Sequence, residues 1–532
     1  MSETLDQVIA YHLRTKHQPH AMARGPARMD WANQPNPFRS YEGTQHINLE
    51  RLGFIDSGNG LSGPSALNMK NLSRLFFESL ALSGQKSLAG SKWHLRVNPS
   101  GGNLHPTEGY LIAGPVEGLE GSPGVYHYAP KDHALELLAS ANDWQSVGLP
   151  GGTFLIGLTS IYWRESWKYG ERAYRYCMID LGHALAALTL AAHCLGWATA
   201  LWDDLGRDDL ARLIGLGMGP AKGMARELAL ESSSEEELPD VLLAIFADGN
   251  THRESLDLAG LSPMDLQTRP VRPNTLSPEH IPWPEIDLVS EATKKPPTTD
   301  VYAGFSSTRD QMPFEFCRIL RKRRSAQAMD EKTSMQRESF HAILEAALPK
   351  ELPSGLLPWR PHVHPVIFVH RVDDLERGLY ILLRDPRQKE SLRAAMKMDF
   401  VWEKPSRTPE GLELYLLVQG DGRLAARETS CRQSIASDGC FAAAMIAELE
   451  GPLHEFGAWF YSRLHWECGM IGQAFYLASE AAGFQGCGIG CFFDDMVHRM
   501  LGLTGQKFQD LYHFTVGRAE IDPRLIDLPA YE

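Results

Sequence analysis

The chain has 532 residues, 43% of them hydrophobic and 22% charged, enough for two or more soluble domains with cores of their own. Its formal net charge is −14 at pH 7, which argues against a nucleic-acid binder, since such affinity rests on clustered Lys and Arg; one local basic pocket is still compatible with it. The polar start MSETLDQVIAYHLRTKH has no apolar signal core, and no uninterrupted apolar run of about 18 residues is present. A cytoplasmic protein without a membrane span is expected.

Along the first half, HLRTKHQPHAMARGP brings His12, His17 and His20 together at a spacing that does not suit a metal-binding helix, so these are expected at a surface or interface. RVNPSGGNLHP follows, ahead of the strand-like TEGYLIAG. Its Pro99, Ser100, Gly101, Gly102 and Asn103 read as a plain turn, or as a loop whose glycines let backbone N–H groups approach a ligand, with Arg96 balancing an anion or a polarised ring oxygen. From Ser166, SWKYGERAYRYCMIDLGHALAAL opens a long helix predicted from Arg172 to Trp197, apolar on more than one face and therefore buried. Charged groups at its mouth are paired or serve a site. Lys168 and Tyr169 suit proton transfer; pairing of Glu171 with an arginine is the structural alternative. Asp203 and Asp204 stand where a helix is expected to begin and are read as caps.

Residues 262–300 are proline-rich and read as an extended linker between a first domain, 1–261, and a second, 301–532. In RILRKRRSAQAM, the basic run reads as a solvated helix face, or as a phosphate clamp built from Arg323, Arg324 and Ser325. Such a cluster in an acidic chain favours the clamp. The second half then repeats the first. VDDLERGLYIL answers VEGLEGSPGVYHY, and FYLASEAAGFQGCGIGCFFDDMVHRMLGL answers LTLAAHCLGWATALWDDLGRDDLARLIGL. A second buried helix is predicted from about Arg463 to Gly483, followed by Asp494 and Asp495, again read as caps. Two such halves suggest an internal pseudo-dimer. The eight cysteines are scattered and fit a reducing compartment, and GCGIGC has no second half-site, so no metal is expected.

Taken together, RVNPSGGNLHPTEGYLI, PGVYHY, KYGERAYRY with DLGHALAAL, RKRRSAQAM, RQSIASDGCFAAAMIAE and GCGIGCFFDD resemble the nitroreductase-like FMN-dependent oxidoreductases. The likeness is greatest to the SagB-type branch, which includes the azoline dehydrogenases. It implies an α+β fold, an antiparallel-rich sheet flanked by helices, in two tandem nitroreductase-like domains forming an intramolecular pseudo-dimer. It also implies FMN, held by the loop Arg96, Pro99, Ser100, Gly101, Gly102 and Asn103 of one half. The other half supplies Arg323, Arg324, Ser325, the turn Gly488, Ile489 and Gly490, and Arg518 and Arg524.

In the second half SGLLPWRPHVHP has lost the loop pattern, and the first half has no clear Arg-Arg-Ser, so one FMN per chain is expected. A second clamp would need Arg14, Arg39 and Ser40. The resemblance makes Lys168 and Tyr169 the catalytic pair and a small-molecule or peptide the substrate, with biosynthetic-cluster proteins as partners and O2 or NAD(P)H as redox partner. The alternatives are an NAD(P)H-dependent nitro, quinone or ene reductase, and a non-catalytic flavin- or peptide-binding scaffold. Further association of tandem chains is left open.

Overall fold

The computed structural model describes residues 3–51, 63–141, 144, 149–216, 235–249, 266–268, 271–299, 315–351 and 353–531. The expected boundaries at 261 and 301 lie outside the described residues.

Helix α1 (Glu3–Arg14) comes first, then β1 (Gln45–Asn48) and the hairpin β2 (Leu82–Leu88) and β3 (Ser91–Arg96). There follow β4 (Thr107–Ala113), β5 (Gly124–Ala129), β6 (Ala134–Ala141) and β7 (Thr153–Ile161), helices α2 (Tyr162–Tyr169) and α3 (Ala173–Cys194), β8 (Ala198–Trp202), α4 (Arg207–Leu213), β9 (Glu237–Phe246) and β10 (Leu266–Thr268). These strands form an antiparallel sheet in the order β10-β6-β5-β4-β7-β9-β8, with β1 also on β6.

After α5 (Pro284–Ala292) and α6 (Glu315–Ile319), the second half lays down β11 (Val363–Val369), β12 (Gly378–Leu382), β13 (Leu414–Gln419) and β14 (Phe441–Glu448). Helices α7 (Glu450–Phe456) and α8 (Phe460–Ala481), β15 (Gln485–Ile489), α9 (Asp494–Leu501), β16 (Phe508–Gly517) and β17 (Ile526–Leu528) complete it. The second sheet runs β13-β12-β11-β14-β16-β15. Its last five strands repeat the order β5-β4-β7-β9-β8 of the first sheet, so the chain is two tandem α+β domains.

The domains meet through α3 and α8, each 22 residues long and buried along almost its whole length. A constant sequence offset carries both ends of α3 onto both ends of α8, and the helices cross at equivalent positions, Gly182 and Gly469. This is the pseudo-dimer the repeats imply. The run Tyr162–Cys194 is long and apolar enough to cross a membrane by composition, but 94% of its apolar window is buried inside the protein, as a core helix requires. Exchange of segments ties the halves further. His12 of α1 approaches Tyr461 and Gln509, both at 3.1 Å, and β17 pairs with β2 beside β3. His12 and His17 are therefore buried at the interface, whereas His20 is exposed.

Three expectations are corrected. Residues 262–300 are not bare extended chain. Within them β10 pairs with β6, Arg272–Pro273 pairs with Tyr41–Glu42, and α5 buries Ile286, Val289, Ser290 and Ala292. Pro284 starts α5 rather than preventing it, because the first helical turn needs no N–H there.

The Asp pairs are not caps either: the N-cap residues are Gly206 for α4 and Phe493 for α9. Asp203 binds Arg463 at 2.5 Å, and Asp494 binds Arg172 and Arg175 at 3.1 and 2.9 Å. All are buried, and each pairing crosses between domains. Burial works to raise the Asp494 pKa, but the two guanidiniums outweigh it and hold the carboxyl well below its ordinary range. Finally, Cys194 at the end of α3 is disulfide-bonded to Cys317 in α6. Their separation of 123 residues concealed the pairing, because the contact exists only once the halves have docked.

Candidate functional site

The β3–β4 connection carries Arg96 and Pro99–Asn103. Gly102, Asn103 and His105 have φ of 60°, 61° and 53°, a left-handed stretch that turns the chain sharply. Asn103 Nδ2 donates to the His94 carbonyl at 2.8 Å, and the His105 N–H donates to Ser100 Oγ at 2.8 Å. The Gly101 N–H donates to both carboxyl oxygens of Asp180, at 3.0 and 3.1 Å.

Helix α2 explains the two glycines. A Cβ on Gly101 would come within 3.3 Å of Glu165 Oε2, and one on Gly102 within 2.6 Å of Tyr169 Oη and 3.0 Å of Lys168 Nζ. The structure thus lays the predicted loop directly on the predicted Lys-Tyr pair. Lys168 Nζ is 5.2 Å from the centre of the Tyr169 ring, and that ring is 4.6 Å from Tyr176. The Tyr176 hydroxyl donates to the Gly490 carbonyl at 3.0 Å, which brings the second half's turn to the same place.

The clamp also comes from the second half. Ser325 bridges to Gly486, and its Oγ is 2.8 Å from Tyr476 Oη, which accepts the Gly488 N–H at 2.9 Å. Arg323 lies 4.8 Å over the Tyr476 ring and donates to the Arg96 and Val97 carbonyls, both partners belonging to the first half. Arg324 donates to the Ser83 carbonyl at 2.7 Å. The basic run is therefore no solvated helix face: its arginines join the second half to the β2–β3 hairpin.

Between loop and clamp lies a cavity of about 720 Å³, lined by Arg96, Pro99, Ser100 and Asn103 from one half and Arg323, Arg324, Ser325 and Arg518 from the other. Lys86 and Lys322 add to its basic wall. Among the described residues, Arg96 Nε, Asn98 Oδ1 and His105 Nδ1 are buried without a hydrogen-bond partner, and all three residues line this cavity. Burial pushes the Arg96 pKa down to about 10; its guanidinium donates to the Thr107 and Pro37 carbonyls.

Other expected residues have packing duties. A Cβ on Gly488 would fall 1.8 Å from Tyr512 Oη, and one on Gly490 2.3 Å from Tyr176 Cε1, while Ile489 is buried. Arg524 is exposed and forks onto Asp522; Asp522 lines the cavity and Arg524 does not.

The mirror position is different. Arg14 makes two 2.8 Å hydrogen bonds to Glu171, the structural pairing weighed for that acid. Arg39 donates to the Asn274 and Glu235 carbonyls. Both guanidiniums are thus engaged by the first half itself. The helix offset carries Lys168-Tyr169-Gly170 onto Glu455-Phe456-Gly457. Both glycines have positive φ, but lysine and tyrosine are replaced. It also carries Tyr176 and Gly490 onto Arg463 and Asp203, whose buried ion pair occupies the equivalent contact. The chain after α5 packs there too: Thr298 N–H donates to the Asp204 carbonyl, and Pro297 abuts Gly206. The cavity left beside Arg463 measures about 10 Å³.

Two residues escaped the sequence reading. Glu165 and Asp180 are buried beneath the loop, where Ser100 Oγ donates to Glu165 and the Gly101 N–H to Asp180. The available signal was Glu165, Lys168 and Tyr169 at i, i+3 and i+4, one face of one helix turn.

Two paired α+β units thus enclose one cavity between a basic cluster from the second and the Pro99–Asn103 loop of the first. The chain belongs to the nitroreductase family, whose model matches residues 88–219 and 320–518. A solved nitroreductase-type structure from Anabaena variabilis shares the fold over 97% of this chain and 99% of its own, with a TM-score of 0.69 at 22% identity. Among characterised proteins, the trifolitoxin-processing protein TfxB of Rhizobium leguminosarum bv. trifolii is 32% identical over 148 residues, which is 25% of this chain and 39% of TfxB. The microcin B17-processing protein McbC of Escherichia coli is 25% identical over 172 residues, 30% of this chain and 59% of McbC. The matches thus span well under two thirds of either relative. They agree with the SagB-type likeness.

Proposed function

We propose that this chain is an FMN-dependent dehydrogenase that oxidises a peptide-derived or natural-product substrate, of the azoline-to-azole type, with one FMN held between its domains. The observation that carries this reading is the cavity where the loop of one domain meets the clamp of the other, with Lys168 and Tyr169 packed on Gly102. The residues present fit the cofactor. The cavity volume lies in the ordinary range for small-molecule sites, about 300–1,000 Å³. Lys322, Ser325 and Arg518 suit a phosphate, and the unpartnered Asn98 and His105 atoms suit the polar edge of a ring.

Bound FMN supplies a hydride acceptor at N5. The chain's own residues do the rest. The loop forms one wall of the cavity, Tyr169 and Tyr176 pack behind it, and half-buried Lys168 beside Tyr169 is the group that would exchange a proton with the substrate at Nζ. O2 is the simplest electron acceptor on this reading. The names of TfxB and McbC, both peptide-processing proteins, support a peptide substrate and cluster partners, and the enzyme then works in the cytoplasm beside a precursor peptide.

The test is flavin content and turnover of the intact chain. One FMN per chain with oxidation of an azoline peptide is expected, and a reproducible two per chain overturns the single-site arrangement. Rapid bleaching by NAD(P)H without azoline oxidation favours the nitro, quinone or ene reductase. Failure to bind FMN at all leaves the scaffold.

A further inference from the structure

Glu165 and Asp180 form a buried carboxyl pair whose placement invites a chemical role. Glu165 shares a helix face with Lys168 and Tyr169, and Asp180 faces it from the second turn of α3. Ser100 Oγ donates to Glu165 Oε1 at 3.3 Å, and the Gly101 N–H donates to Asp180. Glu165 Oε2 is buried and receives no N–H or O–H donor among the described residues; both acids converge on Gly101, whose N–H reaches Asp180 at 3.0 Å and whose Cβ position lies 3.3 Å from Glu165 Oε2. Two carboxyl groups can hydrogen-bond to each other only with a proton between them.

The other groups that face the pair are Lys168, Tyr169 and Cys177 from α2 and α3, and Tyr512 from β16. Lys168 is the cation among them. Burial raises both acids, Asp180 to about 7 and Glu165 well above its ordinary range, the latter raised further by Asp180.

The mirror domain has dissolved this arrangement. The helix offset carries Glu165 onto Pro452 and Asp180 onto Glu467. Glu467 is ion-paired to Arg384 and accepts the His362 and Val363 N–H groups. A carboxylate at the helix position alone is enough for the fold. Among the described residues, the Glu165–Asp180 juxtaposition has no counterpart at these mirror positions, which also lack Lys-Tyr.

We propose that Glu165 and Asp180 are positioning residues that share one proton and act as the proton store of Lys168 and Tyr169. This rests on the dehydrogenase reading above. On that reading oxidation removes a hydride, which bound FMN would accept, and a proton from the substrate. In concert, Lys168 gives one ammonium proton to the ionised member of the pair, which then carries two protons instead of one, and the amine so freed takes the substrate's proton at Nζ. The second proton returns through half-exposed Lys168 to water. The same shared proton holds Ser100 and Gly101 in register with Lys168.

Infrared spectroscopy of the full chain without substrate, in H2O and D2O, tests the shared proton independently of turnover. A buried protonated-carboxyl band that shifts in D2O, titrates near neutral pH and is lost in both Glu165→Gln and Asp180→Asn is expected. Each substitution keeps a hydrogen-bond acceptor for the loop, and bound FMN reports that the loop survives. In turnover, the limb of the pH–rate profile near neutrality should flatten in Asp180→Asn, with kcat lowered at least tenfold and KM little changed. Absence of the band, its persistence in both variants, or an unchanged pH profile overturns the proposal. A band without any FMN binding or turnover keeps the shared proton, discards the relay, and locates the failure in the dehydrogenase reading.

Discussion

Gly182 and Gly469 hold equivalent places in two helices that cross each other, and each is glycine because the other helix's backbone occupies the space a side chain would need. A Cβ on Gly182 would lie 2.3 Å from the Trp466 carbonyl oxygen, and one on Gly469 2.2 Å from that of Ile179. The crossing packs the two domains against each other inside one chain.

Substitution at this crossing should be costly. Neither contact is with the end of a flexible side chain, so the helices must move apart. Gly182→Val and Gly469→Val are each expected to destabilise the chain by at least about 1–3 kcal/mol and to weaken FMN binding together with stability. Thermal denaturation and flavin retention measure this; a variant as stable as the parent would show that the crossing can relax.

Asp494 neutralises two buried arginines. Removing it leaves Arg172 and Arg175 uncompensated, so Asp494→Ala should cost about 3–5 kcal/mol in denaturant unfolding. Because its folded pKa is depressed, its contribution is present above the unfolded carboxylate pKa and fades as pH falls through that value and below.

Lys168 and Tyr169 should be needed for chemistry and dispensable for cofactor retention. Lys168→Ala and Tyr169→Phe are expected to keep FMN and to lose about 10²–10⁴-fold in kcat. Glu455→Ala, at the equivalent place in the second domain, should leave kcat unchanged. Normal turnover by Lys168→Ala would remove that residue from the mechanism.

Asp180 carries a folded pKa raised from 3.8 to about 7 by burial. Its stabilising contribution is therefore fully present below the unfolded value and lost as pH rises through about 7. Between pH about 4 and about 8, Asp180→Asn should show a flatter dependence of unfolding free energy on pH than the parent.

The Cys194–Cys317 bond fastens the segment leading to the clamp onto the end of α3. Reduction, or Cys194→Ser, should lower stability by roughly 2–4 kcal/mol and loosen FMN. Unfolding curves with and without dithiothreitol give the size of the effect, and thiol counting under denaturing conditions verifies the bond itself.

Much of the fold was legible along the chain because it is written in local terms. Helices apolar on every face announce burial, glycine stops end them, and an element order that recurs announces duplication. The loop Pro99–Asn103, the basic run and Lys168-Tyr169 were each visible as short strings of unusual composition. Their alternatives stayed open because a string does not say what it faces.

Contacts between distant segments answered those alternatives. Asp203 and Asp494 looked like caps because sequence shows only their neighbours; Arg463, Arg172 and Arg175 reach them across the domain interface. Pro284 looked like part of a linker because its helix is stabilised by packing on α1 and α3 rather than by local propensity. Glu165 and Asp180 were passed over for the same reason: they lie fifteen positions apart along the chain, and only the fold buries both beneath the glycine loop. Composition and periodicity follow from chain-local energetics, whereas buried charge pairing and the cavity between loop and clamp exist only after the two domains close on each other.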